Sequence, residues 1–265
     1  MADLRGKVAV VTGGSRGVGK GAAEGLAEAG ATVYITGRSE SFDEPPADRT
    51  IQATARRVDD LGGAGVAVPV DHDNDHEVLE LFERVRQEQG RLDILVNNAY
   101  KIPDPPVWRG GFWEHPLSAW DDQCGIGLRG YYVSAVYAAP LMVEQGSGLV
   151  VNISSRAGGE YVFSASYGVG KAGVDRMAKD FAVELRPHGV AALSLWPGSV
   201  KTEFIMDAVQ RGDVTLDASV AQSPRFTGRC IAALAMDPDV MEKSGGVYKV
   251  ADLAREYRFT DPDRN

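Results

Sequence analysis

Seven short runs of β-branched and other apolar residues recur along this chain, and segments with helical spacing lie between them. The runs are KVAVVT (7–12), ATVYIT (31–36), GVAVPV (65–70), LDILVNN (92–98), GLVVNIS (148–154), VAALSLW (190–196) and GGVYKV (245–250). Strands that are apolar throughout are typical of a parallel sheet that is covered on both faces. The alternation of strand and helix therefore predicts an α/β fold with a doubly wound, seven-stranded parallel sheet and helices on both faces.

Length, charge and cysteine content narrow the class of protein. A chain of 265 residues fits a single domain over residues 1–265, because α/β folds of this size do not need to split. The net charge of −9 argues against a nucleic-acid surface. Cys124, Cys230 and the histidines have no metal-ligand spacing, so we predict no metal site. Apolar runs are too short for a signal peptide or a membrane helix, so we expect a cytoplasmic protein that binds neither nucleic acid nor membrane.

Three glycine clusters compete as candidates for a phosphate-binding loop: GIGLRG (125–130), GVGKAG (168–173) and TGGSRGVG (12–19). Such a loop needs backbone amides exposed at a helix N-terminus directly after a strand. Only TGGSRGVG follows an apolar strand and opens a helix. The residues predicted to bind a dinucleotide there are Gly13, Ser15, Arg16, Gly17, Val18 and Gly19.

The end of the second strand indicates which dinucleotide is bound. In NAD-binding units an acidic residue about 20 positions after the glycine loop holds the ribose 2′-hydroxyl. Here that place reads Gly37-Arg38. Arg38, together with Arg16, can pair with a 2′-phosphate through charge-assisted hydrogen bonds. We therefore predict NADP(H) as the cofactor, with NAD(H) less favoured.

The string YGVGK places Tyr167 and Lys171 four residues apart, on one face of a helix. A neighbouring ammonium group favours phenolate, which lowers the pKa of a phenol from about 10. We therefore predict that Lys171 makes Tyr167 a usable acid or base near neutral pH.

Four motifs follow one another along the chain: TGxxxGxG, Asn97-Asn98-Ala99, YxxxK, and Pro197-Gly198 followed by Thr202. These motifs, in this order, resemble those of the short-chain dehydrogenase/reductase family. The resemblance spans nearly the whole chain, and strings such as RLDILVNNAY and GLRGYY are similar to one subgroup. It implies a Rossmann-type fold and a hydride transfer between NADP(H) and a carbonyl or alcohol, with Tyr167 as acid/base and Lys171 on the nicotinamide ribose. It also implies further cofactor-binding residues, namely Asp71, Asn97, Ala99, Pro197, Gly198, Val200 and Thr202.

Two positions of that pattern stay open in the sequence. The family serine falls on Ser155 by motif letters and on Ser154 by the commonest spacing to the tyrosine, and we choose Ser155. The family asparagine of the next helix, which holds a water beside the catalytic lysine, is replaced by Gly127, and the family glycine after Ala99 is replaced by Tyr100. We expect backbone groups at Gly125 and Gly127 to hold this water instead, and a change of Gly127 to asparagine to be tolerated or to raise turnover.

Loops at about 100–119 and 203–226 are expected to enclose the substrate, and the aromatic residues of the first, Trp108, Phe112 and Trp113, suit an apolar carbonyl compound. The segment 43–49 is predicted to be a surface loop. A reductase of 3-oxoacyl thioesters and a non-catalytic NADP(H) sensor or scaffold are the alternatives. The family resemblance further implies a homodimer or homotetramer that assembles through the helices near 119–145 and 167–187.

Overall fold

Seven parallel strands form the centre of the molecule in a computed structural model that describes residues 3–39 and 47–264. The strands are β1 (Val8–Val11), β2 (Thr32–Gly37), β3 (Ala64–Pro69), β4 (Ile94–Asn97), β5 (Gly148–Ile153), β6 (Val190–Trp196) and β7 (Val247–Lys249). They lie in the order β3-β2-β1-β4-β5-β6-β7, and each pair is parallel. Each strand overlaps one of the apolar runs and departs from it by at most one residue, at Gly37 and Ala64, so the predicted seven-stranded parallel sheet is confirmed.

Helices connect the strands and cover both faces of the sheet. They are α1 (Gly17–Glu28), α2 (Ile51–Asp60), α3 (Asp75–Gln89), α4 (Ser118–Trp120), α5 (Gly130–Gln145), α6 (Ala165–Leu185), α7 (Glu203–Arg211), α8 (Pro224–Met236) and α9 (Val250–Tyr257). Five begin after a residue whose side chain accepts a hydrogen bond from the first turn, namely Thr50, Asn74, Ser164, Thr202 and Ser223. Such N-caps satisfy amides that have no partner within the helix.

The strands divide their side chains between two apolar cores. In β1, Ala9 and Val11 face a core that includes α1, α8 and α9, whereas Val8 and Val10 face a core that includes α3, α5 and α6. Successive side chains of a strand point to opposite faces, so an apolar strand supplies both layers at once. This is why the strands read as unbroken apolar runs.

Helices α1 and α8 touch through their backbones. A Cβ atom added to Gly25 would lie 2.1 Å from the carbonyl carbon of Gly228, and one added to Gly228 would lie 1.9 Å from the carbonyl oxygen of Gly21. No side chain fits at these distances, so the glycines allow the first helix to pack directly on the eighth.

A long helical run joins α4 to α5 through a π-helical segment, Asp121–Arg129. At its end, the N–H group of Gly130 donates to the carbonyl of Gly125, five residues earlier, which is the π-helical pattern. The cluster GIGLRG therefore lies within a helix and follows no strand, as its context predicted.

The three segments predicted to be loops differ in the secondary structure that they contain. Residues 43–46 of the segment 43–49 lie outside the described residues. The segment 100–119 has one short 3₁₀ turn, Phe112–Glu114, before α4. In the segment 203–226, Glu203–Arg211 forms α7 and Pro224 begins α8, so the region predicted to be a substrate loop is partly helical. Over residues 3–39 and 47–264, no helix combines the length and apolar character needed to cross a membrane.

Candidate active site

A cavity of about 400 Å³ opens at the carboxyl ends of the strands. In open α/β sheets, ligands bind at this edge, where strand order reverses. Here β1 lies between β2 and β4. Fifteen predicted site residues line the cavity: Gly13, Ser15, Arg16, Gly17, Val18, Arg38, Asp71, Ala99, Ser155, Tyr167, Lys171, Pro197, Gly198, Val200 and Thr202. The structure thus brings most of the predicted set to one place.

The glycine loop after β1 opens α1 and forms one wall of the cavity. Gly13 and Gly17 have φ angles of +67° and +57°, a region that side chains other than glycine rarely adopt. The hydroxyl of Thr12 accepts hydrogen bonds from the backbone N–H groups of Asn98 and Ala99 at 2.9 and 3.0 Å. The Asn98 amide donates to the carbonyl oxygens of Thr12 and Gly13. These bonds join the loop to the end of β4.

Two predicted cofactor-binding residues do not line the cavity. The side chain of Asn97 is fully buried and donates to the side chain of Asn152 at 2.9 Å. Asn98 lines the cavity instead. Gly19 is buried behind the loop, where a Cβ atom would lie 2.2 Å from the carbonyl oxygen of Gly13. Asn97 therefore packs inside the sheet, and Gly19 allows close packing of the loop, so neither of these predicted cofactor-binding residues forms part of the cavity wall.

A carboxylate group of the chain itself is bound at the N-terminus of α1. The N–H group of Gly17 donates to the Glu203 carboxylate at 2.7 Å. On the same helix, α7, Asp207 pairs with Arg49 at 2.7 Å. Backbone N–H groups and the helix dipole favour an anion at this position. Glu203 follows Thr202 directly, yet the sequence motif alone did not identify it as a cavity residue.

The other end of the cavity is lined by the residues predicted to select the cofactor. Arg38 lies 3.8 Å from Asp71, and 60% of its side chain is exposed. Next to them, His72 is buried, and its Nε2 lies 2.7 Å from the hydroxyl of Thr36. Burial lowers the pKa of His72 to about 4, so the imidazole is neutral at physiological pH. At this end of the cavity, the positive charge therefore comes from Arg38 and not from His72.

Tyr167 and the serine pair meet at the end of β5. The Ser155 hydroxyl is hydrogen-bonded to the Tyr167 side chain and also accepts from the N–H group of Ala157 at 3.1 Å. Ser154 points away and donates to the carbonyl oxygen of Lys171 at 3.2 Å. Of the two serines, Ser155 is the one whose hydroxyl group lies beside the phenol.

Burial is the largest cause of the pKa shifts of Tyr167 and Lys171, the two other predicted catalytic residues. It raises the pKa of Tyr167, while the hydrogen bond of Ser155 and the charge of Arg156 act in the opposite direction. It also lowers the pKa of Lys171 to about 8, against the charge of Asp175. The Lys171 ammonium donates to the carbonyl of Ile153 at 2.9 Å rather than to the phenol. The prediction that Lys171 lowers the pKa of Tyr167 is therefore wrong for this arrangement.

The ring of Tyr100 occupies the space beside Gly127. A Cβ atom on Gly127 would lie 2.5 Å from the Tyr100 ring. The same ring packs edge-on against Tyr167, with centroids 6.0 Å apart. The two departures from the family pattern are therefore in contact, and asparagine at position 127 has no room while Tyr100 is present. Gly127→Asn would therefore have to displace the Tyr100 ring, which argues against the expectation that this change is tolerated.

Aromatic rings surround the mouth of the cavity. Trp108 packs against Phe204 of α7 at 5.6 Å and against Phe163 at 6.4 Å between centroids. Phe163 has a φ of +62° and packs on Tyr167 at 5.6 Å. By contrast, Phe112 and Trp113 are 68% and 75% exposed and pack on each other. Of the loop aromatics predicted to contact substrate, Trp108 is the one that lines the cavity.

Within residues 3–39 and 47–264, no group of histidine, cysteine and acidic side chains could hold a metal ion.

Some residues of the cavity wall were not predicted from the sequence. They include Gln123, Tyr131, Phe163, Glu203 and Phe204. Gln123 and Tyr131 lie on the helical run that the sequence does predict. Helical periodicity, however, does not tell which buried side chain reaches a neighbouring cavity.

Comparison with known proteins identifies the class to which this fold and cavity belong. Residues 7–212 match the model of the short chain dehydrogenase family, and the chain belongs to that family. It is similar to "Dehydrogenase/reductase SDR family member 1" of Mus musculus, with 46% identity over 99% of this chain and 85% of the relative, and to that of Homo sapiens, with 45% identity over the same shares. The subgroup indicated by the sequence strings is therefore confirmed.

A solved structure resembles the whole fold. The crystal structure of a metagenomic short-chain oxidoreductase in complex with NADP has 28% identity and a TM-score of 0.73, and covers 93% of this chain and 96% of its own. The chain is thus an oxidoreductase of this family with a Rossmann-type fold.

Proposed function

We propose that this protein is an NADP(H)-dependent oxidoreductase that interconverts a carbonyl compound and an alcohol, with Ser155, Tyr167 and Lys171 as its catalytic residues. The observation that carries the proposal is the meeting of these three side chains at one end of a cavity whose other end is lined by the glycine loop and Arg38. A nucleophile, a metal centre or a second acid–base pair is not needed for this chemistry.

Proton transfer is the task of Tyr167 in the proposed reaction. When bound, the nicotinamide supplies the hydride that adds to the carbonyl carbon. Because burial raises the pKa of Tyr167, the phenol keeps its proton at neutral pH and can donate it to the carbonyl oxygen. Ser155 donates a hydrogen bond to the same oxygen and orients it. In oxidation, Tyr167 takes the proton back.

The cavity fits a dinucleotide on the evidence of its own contacts. The Gly17 amide already binds a carboxylate oxygen, and a phosphate oxygen has the same hydrogen-bonding chemistry. Gly13, Val18, Thr202 and the Pro197-Gly198 turn would hold the phosphates and the nicotinamide, Ala99 lies beside them, and Asp71 would contact the adenine. Lys171, charged below about pH 8, would hold the ribose hydroxyls.

Preference for NADP(H) is proposed from the charges at the adenosine end. Changing Arg38 to aspartate should raise the KM for NADPH at least tenfold, roughly what losing one charge-assisted hydrogen bond costs, while the KM for NADH changes much less. Steady-state kinetics with both cofactors measure this. Arg176→Asp, the same change at a residue that is 74% exposed and outside the cavity, is the control. Equal effects of Arg38→Asp on both cofactors would contradict the preference.

An apolar carbonyl compound is the proposed substrate, because Trp108, Phe163 and Phe204 enclose the mouth beside Tyr167. A steroid-like ring system has this character. A 3-oxoacyl thioester is a second candidate, since it has the same reacting group, a carbonyl. A non-catalytic NADP(H) sensor would use the same cofactor cavity without turnover.

A carbonyl screen tests the proposal. Purified protein is incubated with NADPH, and in parallel with NADH, and a panel of steroid ketones, aromatic and aliphatic aldehydes and 3-oxoacyl thioesters, while absorbance at the cofactor band is followed. We expect NADPH oxidation with apolar ketones or aldehydes. Oxidation with thioesters alone supports the second candidate. NADPH binding without turnover across the panel overturns the proposal in favour of a sensor.

We also propose an oligomeric state and a cellular location for the protein. Tyr132 and Val136 of α5 and Val183 of α6 are apolar yet 54%, 45% and 75% exposed, which suits a homodimer or homotetramer that pairs these helices. Cys124 and Cys230 are buried free thiols, as is usual in the reducing cytoplasm. We propose a cytoplasmic homo-oligomer that binds a small molecule, not nucleic acid or membrane.

A further inference from the structure

The ammonium group of Lys171 is surrounded by three tyrosine rings. Its Nζ atom lies 5.2 Å from the ring centroid of Tyr100, 5.7 Å from that of Tyr131 and 6.0 Å from that of Tyr167. The lysine is only 6% exposed. A cation within about 6 Å of an aromatic ring is attracted by it, and more strongly when water is excluded.

Among the residues that the structure describes, no carboxylate forms an ion pair with the Lys171 ammonium, which donates to a backbone carbonyl instead. Asp175, on the next turn of α6, raises the pKa of Lys171, but its carboxylate accepts from the Ser194 hydroxyl at 2.6 Å and from the Trp196 indole at 3.0 Å. The ammonium itself donates to the Ile153 carbonyl, which also accepts from the Tyr131 hydroxyl at 3.1 Å. A buried charge without an ion-pair partner requires other compensation, and the rings are in place to provide it.

Tyr131 and Tyr100 are held in the positions that this contact requires. Tyr131 is 1% exposed and is fixed by its bond to Ile153. Tyr100 packs on the bare Cα of Gly127, where any side chain would displace it. Its hydroxyl is hydrogen-bonded to the Gln123 side chain, whose carbonyl oxygen accepts from Ser166. Both rings are thus fixed by neighbours of their own.

We propose that Tyr100 and Tyr131 are positioning residues that, with Tyr167, form a tyrosine cage which keeps the buried Lys171 ammonium charged and directed into the cavity. Gly127 contributes to the cage, because its lack of a side chain leaves room for the Tyr100 ring. The cage deepens the proposed function, since it explains how Lys171 would be ready to hold a ribose hydroxyl without an ion pair to a carboxylate.

Other titratable or charged groups face the cage from each packed element. They are Tyr167 and Asp175 of α6, Tyr131 of α5, Cys124 of the π-helical segment and Arg156 after β5. Substitution of Tyr100 alone leaves all of these in place. A change in the pKa of Lys171 in such a variant can then be assigned to the missing ring.

The test measures the pKa of Lys171 directly in the cofactor-free full chain. Protein labelled with ¹³C at lysine Cε is titrated by NMR, and the Lys171 signal is assigned by its loss in Lys171→Met. In Tyr100→Leu, which removes the ring but keeps the site apolar, the pKa should fall by about one unit, as expected for the loss of a desolvated cation–π contact.

Tyr100→Phe is the matched control, because it keeps the ring and removes only the hydroxyl that contacts Gln123. Its Lys171 pKa should stay within about 0.3 units of the original. A pKa that is unchanged or raised in Tyr100→Leu, or that falls equally in both variants, would overturn the cage. Circular dichroism checks the fold, and Gly127→Ala, which pushes the ring away, should act like Tyr100→Leu.

The readout does not require catalysis. A protein that fails the carbonyl screen but shows the ring-dependent pKa of Lys171 keeps the cage and loses the proposed reaction. A protein that turns over carbonyl compounds but shows no ring dependence keeps the reaction and loses the cage.

Discussion

Replacing Tyr167 with phenylalanine should reduce turnover of any carbonyl substrate by about 10²–10⁴-fold, the usual contribution of a positioned general acid or base. The substitution removes only the hydroxyl group that is hydrogen-bonded to Ser155. The phenyl ring can keep its packing against Phe163 and Tyr100. Cofactor affinity and thermal stability should therefore change little, and the loss should appear in kcat.

The control for this experiment is Tyr161→Phe. Tyr161 is 76% exposed, and its hydroxyl donates to the backbone carbonyl of Phe163, so the same loss of one hydroxyl occurs away from the reacting atoms. Turnover is measured from NADPH absorbance, and cofactor binding from NADPH fluorescence. If Tyr167→Phe binds NADPH and keeps more than about a tenth of the activity, Tyr167 is not the acid/base.

The largest effect on stability is expected from Gly25→Ala. In a free helix this change is favourable by about 1 kcal/mol, but here the added Cβ would lie 2.1 Å from the Gly228 carbonyl carbon of α8. Backbone cannot move aside as a flexible side chain can, so the two helices must separate. We expect the free energy of unfolding to fall by at least about 3 kcal/mol, the upper range for overpacking.

Gly130→Ala is the matched control, because it makes the same change at a buried glycine of α5 whose nearest neighbour would be an ordinary 3.5 Å from the new Cβ atom. It should leave stability unchanged or raise it by up to about 1 kcal/mol. Denaturant unfolding followed by circular dichroism compares the two variants. Equal free energies of unfolding would show that the contact of α1 with α8 is not as tight as described.

The fold could be predicted well because its signals are local. Buried parallel strands such as Val8–Val11 read as short apolar runs, and the glycine loop could be distinguished from GIGLRG by the strand before it. The order of the strands in the sheet is not contained in those runs. The α7 helix was missed because it is only nine residues long and lies in a segment that the family resemblance assigns to a loop, although Phe204, Ile205, Ala208 and Val209 have helical spacing.

The candidate site could be predicted in part. The motif letters predict Asn97 as a cofactor-binding residue, although the alternation of side chains along the strand indicates where its side chain lies. Leu95 faces the core that includes α5, so Asn97, two positions on, faces the same side. Asn98 then lies beside the glycine loop. Parity along a strand is thus a signal that the sequence contained and the motif did not use.

Other parts of the site depend on contacts between distant segments. The Tyr100 ring lies on Gly127 from another element, and each residue taken alone reads only as a departure from the family pattern. Likewise, the direction of the Tyr167 pKa follows from burial, which a spacing of four residues to Lys171 does not reveal. Such relations become visible only when the helices and loops are assembled in three dimensions.

The strand order also determines when each part of the molecule can form during translation. β1 is synthesised first and lies inside the sheet, and the later strands add outward from it, β2 and β3 on one side and β4 to β7 on the other. The sheet can therefore grow as the chain leaves the ribosome. Helix α1 has to wait for residues 224–236 before its glycine face is covered. Contacts between such distant segments form late, so the nascent chain exposes that face until α8 has been made, and folding is completed after most of the chain has been synthesised.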